Sequence, residues 1–127
     1  MSRVFVAEDD QYISRVYERA FRAKGHQLTM AVDGEDAWHQ LSSADPKPEA
    51  IILDLLLPKM NGLELLEKIR NDDACKSIPV AVLSNSFSED AEATAKKAGA
   101  DLFMLKIDHE TMEVVKCIEE LIEKGRI

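Results

Sequence analysis

The sequence predicts a doubly wound α/β fold, a parallel β-sheet with helices on both faces joined by right-handed crossovers. Three observations lead there. Five short, β-rich apolar runs alternate strictly with five segments whose apolar residues recur at helical spacing. The central run, Ile51-Ile52-Leu53-Asp54-Leu55-Leu56-Leu57, is apolar at both odd and even positions, as a strand buried on both faces must be. The chain has 127 residues, 46% hydrophobic and 31% charged, which suits one domain, 1–127, with one core.

Each element can be justified in turn. Arg3-Val4-Phe5-Val6-Ala7 is a strand that runs into Glu8-Asp9-Asp10. From Gln11 to Lys24, Ile13, Val16, Tyr17, Ala20 and Phe21 form one helical stripe, and Gly25 stops it. Gln27–Ala31 is the second strand, and Gly34 to about Ser43 the second helix, with Ala37, Trp38 and Leu41 inward. Pro46 and Pro48 make the next stretch a loop. The third strand ends at Asp54, Pro58–Gly62 turns, and a helix carries Leu63, Leu66, Ile69 and Arg70 until Asn71-Asp72-Asp73 breaks it.

Ile78–Ser84 is the fourth strand, with Pro79 tolerated near its start. Ser88 is a suitable N-cap for a helix running through Ala91, Ala95 and Ala98 to Gly99. Asp101–Lys106 is the fifth strand. The last helix, about Glu110 to Lys124, carries Val114, Val115, Ile118, Leu121 and Ile122 inward, with Glu119, Glu120, Glu123 and Lys124 on its wet face.

Composition excludes several roles. A net charge of -8 argues against direct binding of nucleic acid or an anionic membrane, both of which need a basic surface. No apolar run approaches a membrane span, and the N-terminus has no signal-peptide layout, so a cytoplasmic location is expected. Cys75 and Cys117 lack metal or redox spacing and read as free thiols. His26, His39 and His109 are scattered.

The polar residues that interrupt the apolar pattern gather at one place. Strand one ends in Glu8-Asp9, strand three in Asp54, strand four in Ser84 and strand five in Lys106. In a parallel sheet all of these lie on the carboxyl edge, where such folds bind ligands. Asp54 alone could be a turn-capping residue; with the others beside it, independent turn residues are a poor account. Crowded carboxylates call for a cation, and Mg2+, with its oxygen ligands and retained waters, fits. Lys106 and Ser84 add a point charge and a hydroxyl for phosphoryl oxygens, or Lys106 pairs with Asp54 when the site is empty. Such an Asp is equipped to accept a phosphoryl group.

These residues resemble the receiver domain of two-component response regulators, a CheY-like family. The stretch Asp54-Leu55-Leu56-Leu57-Pro58-Lys59-Met60-Asn61-Gly62 is similar to its phosphorylation segment, and Ala98-Gly99-Ala100 with Phe103-Met104-Leu105-Lys106 to its run before the fifth-strand lysine. The resemblance implies a flavodoxin-like (βα)5 fold with strand order 2-1-3-4-5. It implies that Asp54 is the phosphoacceptor for a histidine kinase or histidine phosphotransfer protein, with Ser84 and Lys106 assisting. Asp9 and Asp54 would ligate Mg2+ directly, Glu8 through water, and the Leu56 backbone carbonyl would complete the protein ligands. Asp10 reads first as a helix start and only second as a ligand. Ser84 and Phe103 would form the switch that repacks the face of helix four, strand five and helix five, through which a homodimer could form. The downstream protein target is not identified.

There are departures from the family pattern. Ile107 stands where a proline with a cis bond is usual, so a trans Lys106-Ile107 bond is expected. Asn85 is larger than the usual residue, and Leu56 and Ser86 occupy positions that resemble tuners of dephosphorylation. Tyr12, Ile13, Val16 and Tyr17 could dock a partner; core packing suits Val16 and Tyr17 better, and exposure suits Tyr12. Trp38 reads as helix–sheet packing. Two alternatives differ in class. A HAD-like phosphatase would want Asp-x-Asp after strand one, which Asp9-Asp10-Gln11 lacks. A degenerate receiver would serve as a phosphorylation-independent interaction module. An enzyme with an external substrate is not expected. Nothing follows Ile127, so output is expected through protein binding or onward relay.

Overall fold

A computed structural model describes residues 2–84, 89–105 and 111–125. The strands are β1 (Arg3–Ala7), β2 (Gln27–Ala31), β3 (Ala50–Asp54), β4 (Val80–Ser84) and β5 (Leu102–Leu105). The helices are α1 (Gln11–Ala23), α2 (Gly34–Ser43), α3 (Gly62–Asn71), α4 (Glu89–Ala98) and α5 (Thr111–Lys124). All four strand pairings are parallel and the order is β2-β1-β3-β4-β5, as the family resemblance implies.

Strand alternation sorts the core into two layers. Phe5, Ala7, Ile51, Leu53, Val80 and Val82 face one way and pack on α2, α3 and α4. Val4, Val6, Ala50, Ile52, Ala81 and Leu83 face the other and pack on α1 and α5. β3 and β4 are buried along their whole length, which explains why their sequences do not alternate. Tyr17 is buried, Val16 only partly so, and Trp38 packs against the first layer with Lys68 Nζ 5.9 Å from its ring centroid. The helices differ in what they bury: α3 commits Leu65, Leu66 and Ile69, whereas α4 buries Ala95 alone, with Ala98 partly covered.

β3 ends at Asp54 as expected although the aliphatic run continues; Leu57 turns back into the core while Leu56 is 70% exposed. Other boundaries move from the expected positions for local reasons. β4 starts at Val80, because Pro79 has no N–H to donate and the Ile78 N–H turns back to the Cys75 carbonyl (3.0 Å). α3 begins at Gly62, since the Asn61 side chain caps it by accepting from the Glu64 N–H (2.9 Å). Ser88 and the expected starts and ends at Glu110 and Lys106 lie outside the described residues. Glu119 does more than face water: it meets His26 Nε2 at 2.7 Å, and His26 Nδ1 accepts from the Ser2 N–H at 3.1 Å.

Asp101 leaves β5 to do something the sequence did not disclose. Its Oδ2 accepts from the Val80 N–H (2.8 Å) and from Arg70 Nη2 (2.9 Å). Arg70 also donates to the carbonyls of Gly99, Lys76 and Ile78. A Cβ on Gly99, whose φ is +117°, would come within 2.7 Å of the Arg70 side chain. One guanidinium thus joins the end of α3 to the starts of β4 and β5. Arg70→Met would remove the guanidinium from the Asp101 carboxylate and from the carbonyls of Gly99, Lys76 and Ile78, and is expected to cost about 2–4 kcal/mol in urea unfolding. Asp101→Asn, which keeps an acceptor, should cost less.

Cys75 is buried, and burial together with nearby Asp72 pushes its thiol above the ordinary range, against a smaller opposing effect of Lys47. Iodoacetamide at mildly alkaline pH is expected to modify the half-buried Cys117 first and Cys75 only after unfolding, as read by peptide mass.

Candidate phosphoacceptor site

The carboxyl edge is assembled by register. β1 lies beside β3 with Ala7 opposite Leu53, so the residues that follow Ala7 emerge next to Asp54. Glu8 extends the β1 ladder by donating its N–H to the Ala31 carbonyl (3.0 Å), and the Ser14 hydroxyl reaches the Glu8 carbonyl at 3.4 Å. One carboxylate oxygen from each of Glu8, Asp9 and Asp54 lies within 4.8 Å of the others. Glu8 and Asp54 are buried and Asp9 is exposed.

The donor set suits a small hard cation. Three carboxylates from two adjacent strands, one of them open to solvent, match the one-sided oxygen coordination that Mg2+ accepts while keeping waters for a substrate oxygen. Asp10 stands apart: its carboxylate accepts from the N–H groups of Tyr12 (2.9 Å) and Ile13 (3.2 Å), capping α1. Its own N–H donates to Glu8 Oε2 at 3.2 Å, which helps aim that carboxylate.

The loop after β3 is fixed tightly. The Leu56 N–H donates to Asp54 Oδ1 at 3.1 Å, and the Gly62 N–H donates to the Leu55 carbonyl at 2.9 Å. A Cβ at Gly62 would lie 2.2 Å from the Asp54 carbonyl oxygen, so only glycine lets α3 start this close to β3.

Ser84 ends β4, next to Leu83, which pairs with Asp54; it is buried. Phe103 sits opposite Val82 on β5 and is partly buried against the same layer as α4. Lys106, Ile107, Asn85 and Ser86 lie outside the described residues.

Sequence reasoning missed Asp33. It follows β2, caps α2 by accepting from the Asp36 N–H (2.7 Å), and lies 3.6 Å from Lys59 Nζ. The signal was available: an Asp three residues ahead of another acid, Asp36, is an N-cap pattern.

Three like charges at this spacing oppose folding when no cation shares them. Asp9→Asn is expected to raise the metal-free thermal midpoint by a few degrees and to remove most of the stabilisation that millimolar Mg2+ gives the wild type. Differential scanning calorimetry with and without Mg2+ reads both.

Comparison with known proteins agrees with this geometry. The response regulator receiver domain family matches residues 4–118. The transcriptional regulatory protein PrrA of Mycobacterium tuberculosis is 35% identical over 104 residues, covering 82% of this chain but 43% of PrrA, so the chain spans less than half of that relative. The structure of the phosphorylated cyanobacterial phytochrome response regulator RcpA superposes with a TM-score of 0.85 at 30% identity, over 94% of this chain and 92% of RcpA. The Mn2+-bound response regulator Rcp1 gives 0.80 at 26%, over 95% and 91%. Together with the five-stranded order and the acidic edge, these matches show that the chain belongs to the receiver domain family of two-component response regulators.

Proposed function

We propose that residues 1–127 form one receiver domain in which Asp54 accepts a phosphoryl group from a phosphohistidine of a histidine kinase or histidine phosphotransfer protein. The observation that carries this reading is the meeting of Glu8, Asp9 and Asp54 within 4.8 Å at the carboxyl edge. That RcpA is described as phosphorylated and Rcp1 as Mn2+-bound supports it by likeness.

In this reading an Asp54 carboxylate oxygen attacks phosphorus. The P–O bond forms as the P–N bond to the donor imidazole breaks, and the ring nitrogen keeps the electron pair. The Leu56 N–H, already at Asp54 Oδ1, helps to hold the carboxylate in one orientation. A bound Mg2+ would supply the positive charge that lets an anion approach three carboxylates. Asp9 and Asp54 would hold it directly, Glu8 through water, and the Leu56 carbonyl would complete the set. Lys106 would contact a phosphoryl oxygen, and the chain would catalyse only its own charging and hydrolysis.

A protein donor is favoured over a small molecule by the placement of exposed apolar side chains. Among the described residues, the exposed large hydrophobics are Tyr12, Val32, Leu56 and Met112. Each lies at the start of a helix or just past the end of a strand, on the same carboxyl edge as the acids. Apolar side chains on the edge that carries a polar centre are what a docking protein can desolvate.

Phosphorylation adds close to two negative charges. Ser84 would move toward them and Phe103 would take the vacated space, shifting the balance between two packings of α4, β5 and α5. The repacked face would bind the downstream target or a second copy. A cytoplasmic location accords with this reading, and no helix among the described residues is long and apolar enough to cross a membrane.

Incubation with acetyl phosphate and Mg2+, followed by intact mass measurement, tests the proposal. One added phosphoryl group, absent in Asp54→Ala, is expected. No gain under any Mg2+ concentration would instead favour a phosphorylation-independent interaction module, and steady turnover of unrelated phosphate esters would favour a phosphatase.

A further inference from the structure

The segment between Asp54 and α3 contains a backbone conformation that its own residues do not favour. Lys59 has φ +68°, in the left-handed region that a lysine rarely occupies. The Met60 N–H donates to the Pro58 carbonyl at 2.8 Å, closing a three-residue turn with Lys59 at its centre, a strained arrangement. Something outside the turn must hold it.

The holding groups come from the connection between β2 and α2. The Gly34 N–H donates to the same Pro58 carbonyl at 3.1 Å. A Cβ on Gly34 would fall 1.8 Å from the Met60 carbonyl oxygen, so the two backbones meet with no room for a side chain. Asp33 stands beside this contact, largely buried, and its two oxygens have separate tasks. Oδ1 accepts from the Asp36 N–H at 2.7 Å, and Oδ2 faces Lys59 Nζ at 3.6 Å. At the other end of the same loop, Leu57 is buried and the Leu56 N–H holds Asp54 Oδ1.

We propose that Asp33 is a positioning residue for the acceptor loop: it caps α2 with one oxygen and with the other keeps Lys59 in the left-handed turn that sets the Leu56 main chain beside Asp54. The inference rests on the reading of Asp54 and the Leu56 carbonyl as parts of a cation-assisted phosphoacceptor site. Asp33 touches neither cation nor phosphoryl group. It acts by narrowing the range of loop conformations, so its loss raises the concentration of cation needed and leaves the chemistry at saturation nearly unchanged. Lys59 is 62% exposed, and a pair of this kind is worth a factor of about two to five.

The test uses Asp33→Asn, which retains an N-cap acceptor and removes the charge. Amide hydrogen exchange by NMR and the Mg2+ dependence of phosphorylation by acetyl phosphate are measured on the same samples. Exchange at Met60 and Gly34 is expected to accelerate about two- to fivefold, and the half-saturating Mg2+ concentration to rise by a similar factor, with the rate at saturation close to wild type. In a Lys59→Gly background, where no side chain remains for Asp33 to hold, Asp33→Asn should leave both readouts nearly unchanged.

Unchanged exchange at both amides, or acceleration spread over the whole chain with a lower unfolding midpoint, would overturn the inference. Absence of phosphorylation in the wild type would count against the phosphoacceptor reading instead, and the exchange pattern would still decide whether Asp33 holds the loop.

Discussion

Everything at the carboxyl edge depends on the repulsion among Glu8, Asp9 and Asp54. A sheet whose central strands are apolar on both faces gives a carboxylate no favourable place except where a strand stops. β1 and β3 are neighbours and stop side by side, so their terminal acids are forced together by the same pairing that builds the core. The charge density is therefore a product of sheet register, and an oxygen-seeking cation is well suited to it. The surrounding contacts restrict how the acids can move apart: the Asp10 N–H on Glu8, the Leu56 N–H on Asp54, and glycine at position 62 against the Asp54 carbonyl.

The two ends of the sheet divide the labour. The amino edge is held by paired polar groups, with Arg70 and Asp101 satisfying each other and the backbone groups around them, and His26 joining Ser2 to Glu119. The carboxyl edge brings three carboxylates together, and the large apolar side chains that are exposed follow strand ends or begin helices on that same edge. Folded domains commonly accept local destabilisation at a functional site and recover it elsewhere.

Much of this was legible in the sequence because periodicity and interruption are both local signals. The alternation of runs gave the layers, and the polar residues ending β1, β3 and β4 stood out against apolar neighbours. Strand order came through the family resemblance and not through periodicity, since local spacing says nothing about which strands adjoin. What escaped was non-local pairing by residues whose local reading was already satisfied. Arg70 looked like any helical cation, Asp101 like a strand residue, and Asp33 sat in a turn where acids are common. Each joins segments more than twenty residues apart. The exact ends of the strands also shifted, because prolines and caps act on hydrogen bonds that pattern alone does not reveal.

The alanine face of α4 carries a consequence for mechanics. A helix that commits one methyl group to the core, where α3 commits two leucines and an isoleucine, forgoes roughly 1–2 kcal/mol of transfer free energy at each such position. Small side chains also leave shallow ridges, so sliding by part of a turn meets little interlocking. α4 is thus a loosely keyed panel on an otherwise tightly bolted sheet, and modest forces generated nearby could reset its seating without disturbing the frame.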